Sequence, residues 1–438
     1  MRAMSARRAQ NSRPYPLAEL SRRQLIAAGA ALSSACFRDD AAARGREETE
    51  LWFTYGGKNR EVLQSLVERY HQGQTRDWIH TVFQGDYFEG LAKLRVALAA
   101  KAAPALSHVV GEVIPYLARA GVLEPLEAYP AARELDIVPA LGQAGSWLGG
   151  GERPLVALPF NRSTPIAYVN ADKFDAAGLR PPRTWAELRQ TALALTKRVG
   201  SRTETYGFGC PVDWWFWVAL VQQAGGNVVE PDGRVSLGDA AGVAALELWQ
   251  TLVTHDRSMK PPPGRDYNAW EQTNQDFLAG RVAMIWTSTA FLKYLEENAR
   301  FRVVAAALPA GQRRAVPTGG THWVILKSAP PERKAAAFRF LQFVLETEQV
   351  IHWATRTGYI PVTQSAIASL QTSGHYARHP NDQVTVEQLR FAVPWPWSPS
   401  LFRVQREIVQ PRLESAVLSA GNARALLADA QRLASLSG

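Results

Sequence analysis

Cysteine is nearly absent. The 438 residues hold two, Cys36 and Cys210, too few for a disulfide framework or a Cys-His zinc site. The histidines, at 71, 80, 108, 255, 322, 352, 375 and 379, include no HExxH pair, and there is no P-loop and no G-x-S-x-G elbow. Beyond the first 36 residues no run approaches the roughly 18 apolar residues of a membrane span. Charged residues, at 20%, are ordinary for a soluble globular protein, and neither short-period repeats nor low-complexity tracts occur. These absences remove the common metal, nucleotide and serine-hydrolase signatures, leaving function to be read from shape and composition.

The basic balance is misleading. Residues 1–36 hold six arginines and one glutamate, +5 of the formal +9, which leaves +4 for the rest. That is too little to point to a nucleic-acid partner. The stretch "SRRQLIAAGAALSSAC" has a basic start, an apolar run from Leu25 to Leu32 and a small-residue end. It reads as an export signal over 1–36, twin-arginine-like at Arg22 and Arg23. "LSSAC" is similar to a lipobox, so Cys36 is a candidate lipid anchor, and Cys210 is then left without a partner. Residues 37–48 read as a charged linker, and the mature chain is expected in the periplasm.

What is abundant is tryptophan, 14 in all, a residue that serves both large cores and ligand-stacking clefts. After the linker, "LWFTYGG" reads as a strand, "REVLQSLVERYHQ" as a helix with Val62, Leu63, Leu66, Val67 and Tyr70 on one face, and "WIHTVFQG" as a second strand. A helix over "YFEGLAKLRVALAAKAAP" leads to the strand "ALSHVVGEV". This β-α-β-α-β order predicts a mainly parallel sheet flanked by helices. Later segments repeat the pattern, with Thr184 capping one helix, Gly225 and Gly226 ending another, and "VAMIW" as a strand. The chain is too long for one core, so the fold class is α/β with two lobes. The first lobe is expected over 49–162 plus 287–347, the second over 163–286 plus 348–438.

Between two apolar strands lies "LPFNRSTPIAYVN", Leu158–Asn170, with Asn161, Arg162, Ser163 and Thr164 together. Taken alone it fits an ordinary loop with capping hydroxyls. Its apolar flanks argue for a lobe crossing that turns polar groups toward a ligand, because buried polar groups need partners.

The longer stretch "LPFNRSTPIAYVNADKFDAAGLRPPRTWAEL" resembles the signature of family 1 extracellular solute-binding proteins of bacterial ABC importers. "FGCPVDWWFWVALVQQAGGNVV", "FLAGRVAMIWTST", "TGGTHWVILK" and "ATRTGYIPVTQSA" follow in that family's order. Within it, "PFNRSTP" and "GHYARHPNDQVTVEQL" are most similar to the subgroup for sn-glycerol-3-phosphate and glycerophosphodiesters such as glycerophosphocholine. The resemblance implies a two-lobed Venus-flytrap (type II) fold, no cofactor, and a monomer delivering a small-molecule ligand to a permease pair with a cytoplasmic ATPase. It also implies a site in which Ser163 donates to the ligand, Trp214 and Trp217 pack on it, and Gly319 and Gly320 offer N–H groups. Tyr87, Tyr359 and Glu112 supply further polar contacts. The subgroup's phosphate-binding arginine has no clear counterpart: Ser398 falls in its place without a gap, Arg403 with one, and Arg162 is a third candidate. Without such a cation a neutral sugar or oligosaccharide is the alternative ligand.

Blander roles compete. Trp214 and Trp217 share a helix face while Trp215 points away, and all three, like Trp323, suit a core. Tyr87 and Tyr359 suit structural anchors, and Glu112 a carboxylate at a helix start. A secreted hydrolase is the remote alternative. A glycosidase needs two facing acids, and pairs such as Glu47–Glu48 or Glu296–Glu297 read as solvated faces.

Overall fold

The computed structural model describes residues 45–142, 155–230, 234–260, 266–393, 395, 398, 400–419 and 421–436. The expected export signal and most of the linker, including Cys36, lie outside the described residues. Among those described, no helix is long and apolar enough to cross a membrane.

The first sheet contains β1 (Glu47–Phe53), β2 (Asp77–Phe83), β3 (Leu106–Val110), β4 (Leu158–Ser163) and β12 (Gly319–Ile325), in the order β2-β1-β3-β12-β4. The second contains β5 (Pro165–Asn170), β6 (Lys197–Val199), β7 (Arg202–Gly209), β8 (Met259–Lys260), β9 (Val282–Ser288) and β10 (Val303–Ala306). Its order is β10-β5-β9-β7-β6, with β8 beside β7. A short pair, β11 (Val316–Pro317) and β13 (Ala392–Val393), stands apart.

Local chemistry sets these elements as the periodicity predicts. The helix Gly57–Gly73 buries Val62, Leu63, Leu66, Val67 and Tyr70. Asp86 and Glu89 form a reciprocal capping box that starts the helix Tyr87–Ala99. Thr184 Oγ1 accepts from the Glu187 amide at 3.2 Å. Each sheet has its own core: Leu51, Phe53, Phe160 and Trp323 lie in one, Phe208, Trp217, Met284 and Trp286 in the other.

The two-lobed α/β architecture is present, but its sheets are mixed rather than mainly parallel. The strands β1, β2 and β3 run parallel, as the helical connections require, whereas β12 enters antiparallel to both β3 and β4. In the second sheet β5 is antiparallel to β9 and β10. A chain returning from one sheet to the other arrives without a βαβ unit, so nothing forces it parallel.

The expected lobe boundaries also move. The strand β10 pairs with β5, so residues 303–306 belong to the second sheet and not to the first lobe's 287–347. Conversely, Val350, Trp353, Tyr359 and Val362 pack in the first core, not with 348–438 of the second lobe. The chain therefore crosses between β4 and β5, again between β10 and β12, and a third time after the helix Gln364–Thr372. The helix Pro380–Glu387 then packs on β10.

Candidate functional site

The polar segment forms the first crossing, and the other two close on it. Asn161, Arg162, Ser163 and Thr164 are all buried. The Asn161 amide nitrogen donates to the Tyr359 hydroxyl at 3.3 Å, and its oxygen accepts from the Thr321 amide at 3.2 Å. The Arg162 carbonyl accepts from the Ile360 amide at 2.9 Å. Gln388 donates to Thr164 Oγ1 at 2.9 Å and to the Pro165 carbonyl at 2.7 Å, and accepts from the Leu308 amide at 2.9 Å. The polar groups between two buried strands thus fasten three crossings together, as buried polar groups must find partners.

Arg162 is fully buried. Its Nη1 donates to the Gly320 carbonyl and its Nη2 to Thr318 Oγ1, both at 2.8 Å, while Nε has no partner among the described residues. Burial lowers its pKa to about 10, opposed by the charges of Glu112, Tyr87 and Tyr359. The guanidinium is therefore still cationic at neutral pH, and no described carboxylate comes within ion-pair distance of it.

Around this cation gather most of the residues the sequence singles out. Tyr359 hydrogen-bonds with Tyr87 and Asn161, and burial raises its phenol above the ordinary value. Glu112 is the middle residue of the 3-10 turn Gly111–Val113 after β3. Its carboxyl is pushed up, chiefly by burial and further by Asp213, while its own backbone amide, Arg162 and Trp395 oppose the rise. Among the described residues the Ser163 hydroxyl makes no hydrogen bond. Its Cα register partner is Gly319.

The two glycines are needed for their lack of a side chain. A Cβ on Gly319 would lie 2.5 Å from the Trp215 ring, and Gly320 has φ +94° with Asn161 O 1.9 Å from where its Cβ would stand. Close backbone approach at the crossing leaves room for nothing larger.

The tryptophans divide differently from the helix-face expectation. Trp217 donates to the Gly242 carbonyl at 3.3 Å and lies in the second core. Trp215, expected to point away, instead packs on Gly319 and donates to the Thr318 carbonyl at 3.3 Å. Trp214 lies with its ring centroid 6.4 Å from Trp395, and among the described residues its indole N–H has no hydrogen-bond partner. Trp323 is core, 3.6 Å from His108. Arg403 is not brought to the cluster: its side chain is 60% exposed and pairs with Glu407 at 3.1 Å along its own helix. A residue four positions before a carboxylate on an exposed turn satisfies itself locally.

Two members of the cluster were not singled out from the sequence. Tyr55, beyond the carboxyl end of β1, is buried with an unpartnered hydroxyl and is electrostatically coupled to Tyr359. The rule that strand carboxyl ends face the ligand crevice would have found it. Trp395 comes from "PWPWSP", where only the excess of tryptophan in a proline-rich loop gave a signal.

Comparisons with known proteins bear on the fold and the family. Residues 65–381 match the family described as bacterial extracellular solute-binding protein. The chain is 24% identical over 398 residues to the sn-glycerol-3-phosphate-binding periplasmic protein UgpB of Pectobacterium atrosepticum, covering 86% of this chain and 87% of that one. It is 26% identical over 388 residues to UgpB of Salmonella typhimurium, covering 83% and 86%. Among solved structures, UgpB from Mycobacterium tuberculosis in complex with glycerophosphocholine superposes with a TM-score of 0.79 at 23% identity, covering 90% of this chain and 98% of that one. Maltose-bound MalE3 of T. maritima superposes with 0.78 at 21% identity, covering 89% and 99%. With two lobes, three crossings and a buried polar cluster where they meet, this chain belongs to the bacterial extracellular solute-binding protein family.

Proposed function

We propose that this chain, the substrate-binding component of an ABC transporter, captures a glycerol phosphate ester between its lobes. The candidates are sn-glycerol-3-phosphate and a glycerophosphodiester such as glycerophosphocholine. The observation that carries this reading is a buried, charged Arg162 adjoining a Ser163 hydroxyl without a protein partner, with Glu112, Tyr87 and Tyr359 around it. A cation and a free hydroxyl side by side suit a phosphate, while the tyrosines and Glu112 suit glycerol hydroxyls. Trp214 and Trp395 offer aromatic faces for the carbon skeleton or a headgroup. The UgpB relatives support this ligand class. The ligand is carried unchanged to a permease pair driven by a cytoplasmic ATPase, and the carrier acts as a periplasmic monomer.

One observation favours a second reading. Two of the Arg162 nitrogens already donate to Gly320 and Thr318, and Arg403 stands outside, so a neutral sugar would demand less of the site. Calorimetric titration with glycerophosphocholine, sn-glycerol-3-phosphate and maltose separates the two. Binding of a phosphate ester, weakened about tenfold by Ser163→Ala through loss of a charge-assisted hydrogen bond, is the expected result. Binding of maltose with no response to either phosphate ester would replace the first reading by the second.

A further inference from the structure

The C-terminal region brings one element of the second core against the first lobe, beside Tyr87 and Glu112. The short helix Leu401–Arg403 continues into a π-helical turn, Val404–Val409. Val404, Ile408 and Val409 face the second core. Phe402, on the other side, packs against the first-lobe cluster that holds Leu91, Leu94 and Val113. Its ring centroid is 6.0 Å from that of Phe88, tilted by 34°. The Arg406 guanidinium carbon sits 3.6 Å from the centroid of the Phe88 ring. One segment thus has its back in one lobe and two side chains on the other.

The elements it touches are the ones that present polar groups to the cleft. Phe88 directly follows Tyr87 at the start of the helix Tyr87–Ala99, and Val113 directly follows Glu112. Lobe separation would strip Phe402 of apolar cover and Arg406 of its aromatic face, so these contacts exist only when the lobes are together. A guanidinium over an aromatic face is directional as well as attractive, which fixes the approach of one lobe to the other.

We infer that Phe402 and Arg406 form a closure latch on Phe88, holding Tyr87 and Glu112 in position against the second lobe and maintaining a closed fraction before any ligand arrives. They are positioning residues, with no role in touching ligand. The ligand-free part of this inference is independent of the glycerol phosphate reading; only the off-rate experiment below rests on it.

The test uses the full chain carrying Cys36→Ser, with dye labels at Val96→Cys in the first lobe and Leu418→Cys in the second. Both positions are exposed, and the remaining Cys210 is buried. Single-molecule energy transfer without ligand is expected to show a minor closed population. Arg406→Ala should reduce it about tenfold, Arg406→Lys should restore part of it, and Phe88→Leu, which keeps bulk but loses the ring face, should lower it as well. Melting curves identify any variant that fails to fold, and Phe88→Leu with Arg406→Lys then carry the test. No closed population in the parent, or an unchanged one in Arg406→Ala and Phe88→Leu, overturns the latch. With glycerophosphocholine as probe, Arg406→Ala should speed dissociation about tenfold and leave association within twofold. An unaltered off-rate also overturns the latch, whereas a parent that does not bind this probe sinks the ligand reading and leaves the ligand-free result to decide.

Discussion

His352 shows how a single side chain can tie the fold to pH. Arg356 Nη1 donates to its Nδ1 at 3.0 Å, so its Nε2 must carry the proton, which it donates to Ser65 Oγ at 2.7 Å; that hydroxyl in turn donates to the Val62 carbonyl at 2.8 Å. A second proton would have to sit on Nδ1, against a guanidinium. Burial first, then Arg356 and Arg69, lower its pKa to about 4. Its neutral folded form is matched in the unfolded chain only above the ordinary histidine value of about 6.5. The stability this affords is complete above that value and is lost as pH falls from about 6.5 to about 4, because the unfolded chain binds the extra proton first. The buried His108 and His322, also held well below the usual range by desolvation, act in the same direction. Melting temperatures between pH 7 and 4 should fall steeply, and His352→Gln should flatten that fall by roughly one proton at pH 5. An identical slope would show that the ring is protonated in the folded state. Of this, "IHWATR" shows only that Arg356 lies one helical turn after His352; the partner on the other ring nitrogen, Ser65, comes from a distant helix. The same holds for Asn161 and Arg162: their presence together marked a special place, but the backbone groups they fasten lie some 160 to 200 positions away.

At the level of elements, the helix Trp214–Gln223 is set from two sides. Asp213 Oδ1 accepts from the Trp215 amide at 2.8 Å, and Gln410 Oε1 accepts from the Trp214 amide at 2.8 Å. Gln410 Nε2 also donates to the Val212 carbonyl at 2.8 Å. A residue from the helix Gln410–Ser419 thereby pairs a donor of this N-terminus that the Asp213 cap leaves open. Gln410→Ala should cost about 1–3 kcal/mol in chemical denaturation, the range for buried backbone groups left unpaired. It should also shift tryptophan fluorescence through Trp214; loss of neither would mean that water replaces the amide. Local signals of this kind were legible where they were local. The Thr184 cap, the Gly225 stop and the β-α-β-α-β order were readable because each depends on neighbours within a few positions. Strand direction in the returning segments was not readable, and neither were the lobe boundaries. A buried strand of either sheet is a short apolar run, and hydropathy does not record which sheet it joins.

The whole molecule depends on the same convergence. Gln388, 1% exposed, contacts the first crossing through Thr164 and Pro165 and the second through Leu308, and itself follows the third. One side chain therefore links every path between the lobes. While those links hold, unfolding of one lobe exposes the buried polar groups of the crossings and is coupled to unfolding of the other. Calorimetry on the parent should then show a single transition. Gln388→Ala leaves a hydroxyl, a carbonyl and an amide N–H without partners in a buried place, and should cost about 3 kcal/mol or more. Gln388→Glu should be damaging too. Its second oxygen can only accept; the Thr164 hydroxyl can turn to donate to it, but the Pro165 carbonyl is then set against a buried carboxylate oxygen with no donor between them. If the crossings are what joins the lobes energetically, these variants should also split the transition in two, since each sheet retains its own core. A single transition that is merely shifted to lower temperature would place the coupling in the rim contacts between lobes instead, with Phe88, Phe402 and Arg406 first among them.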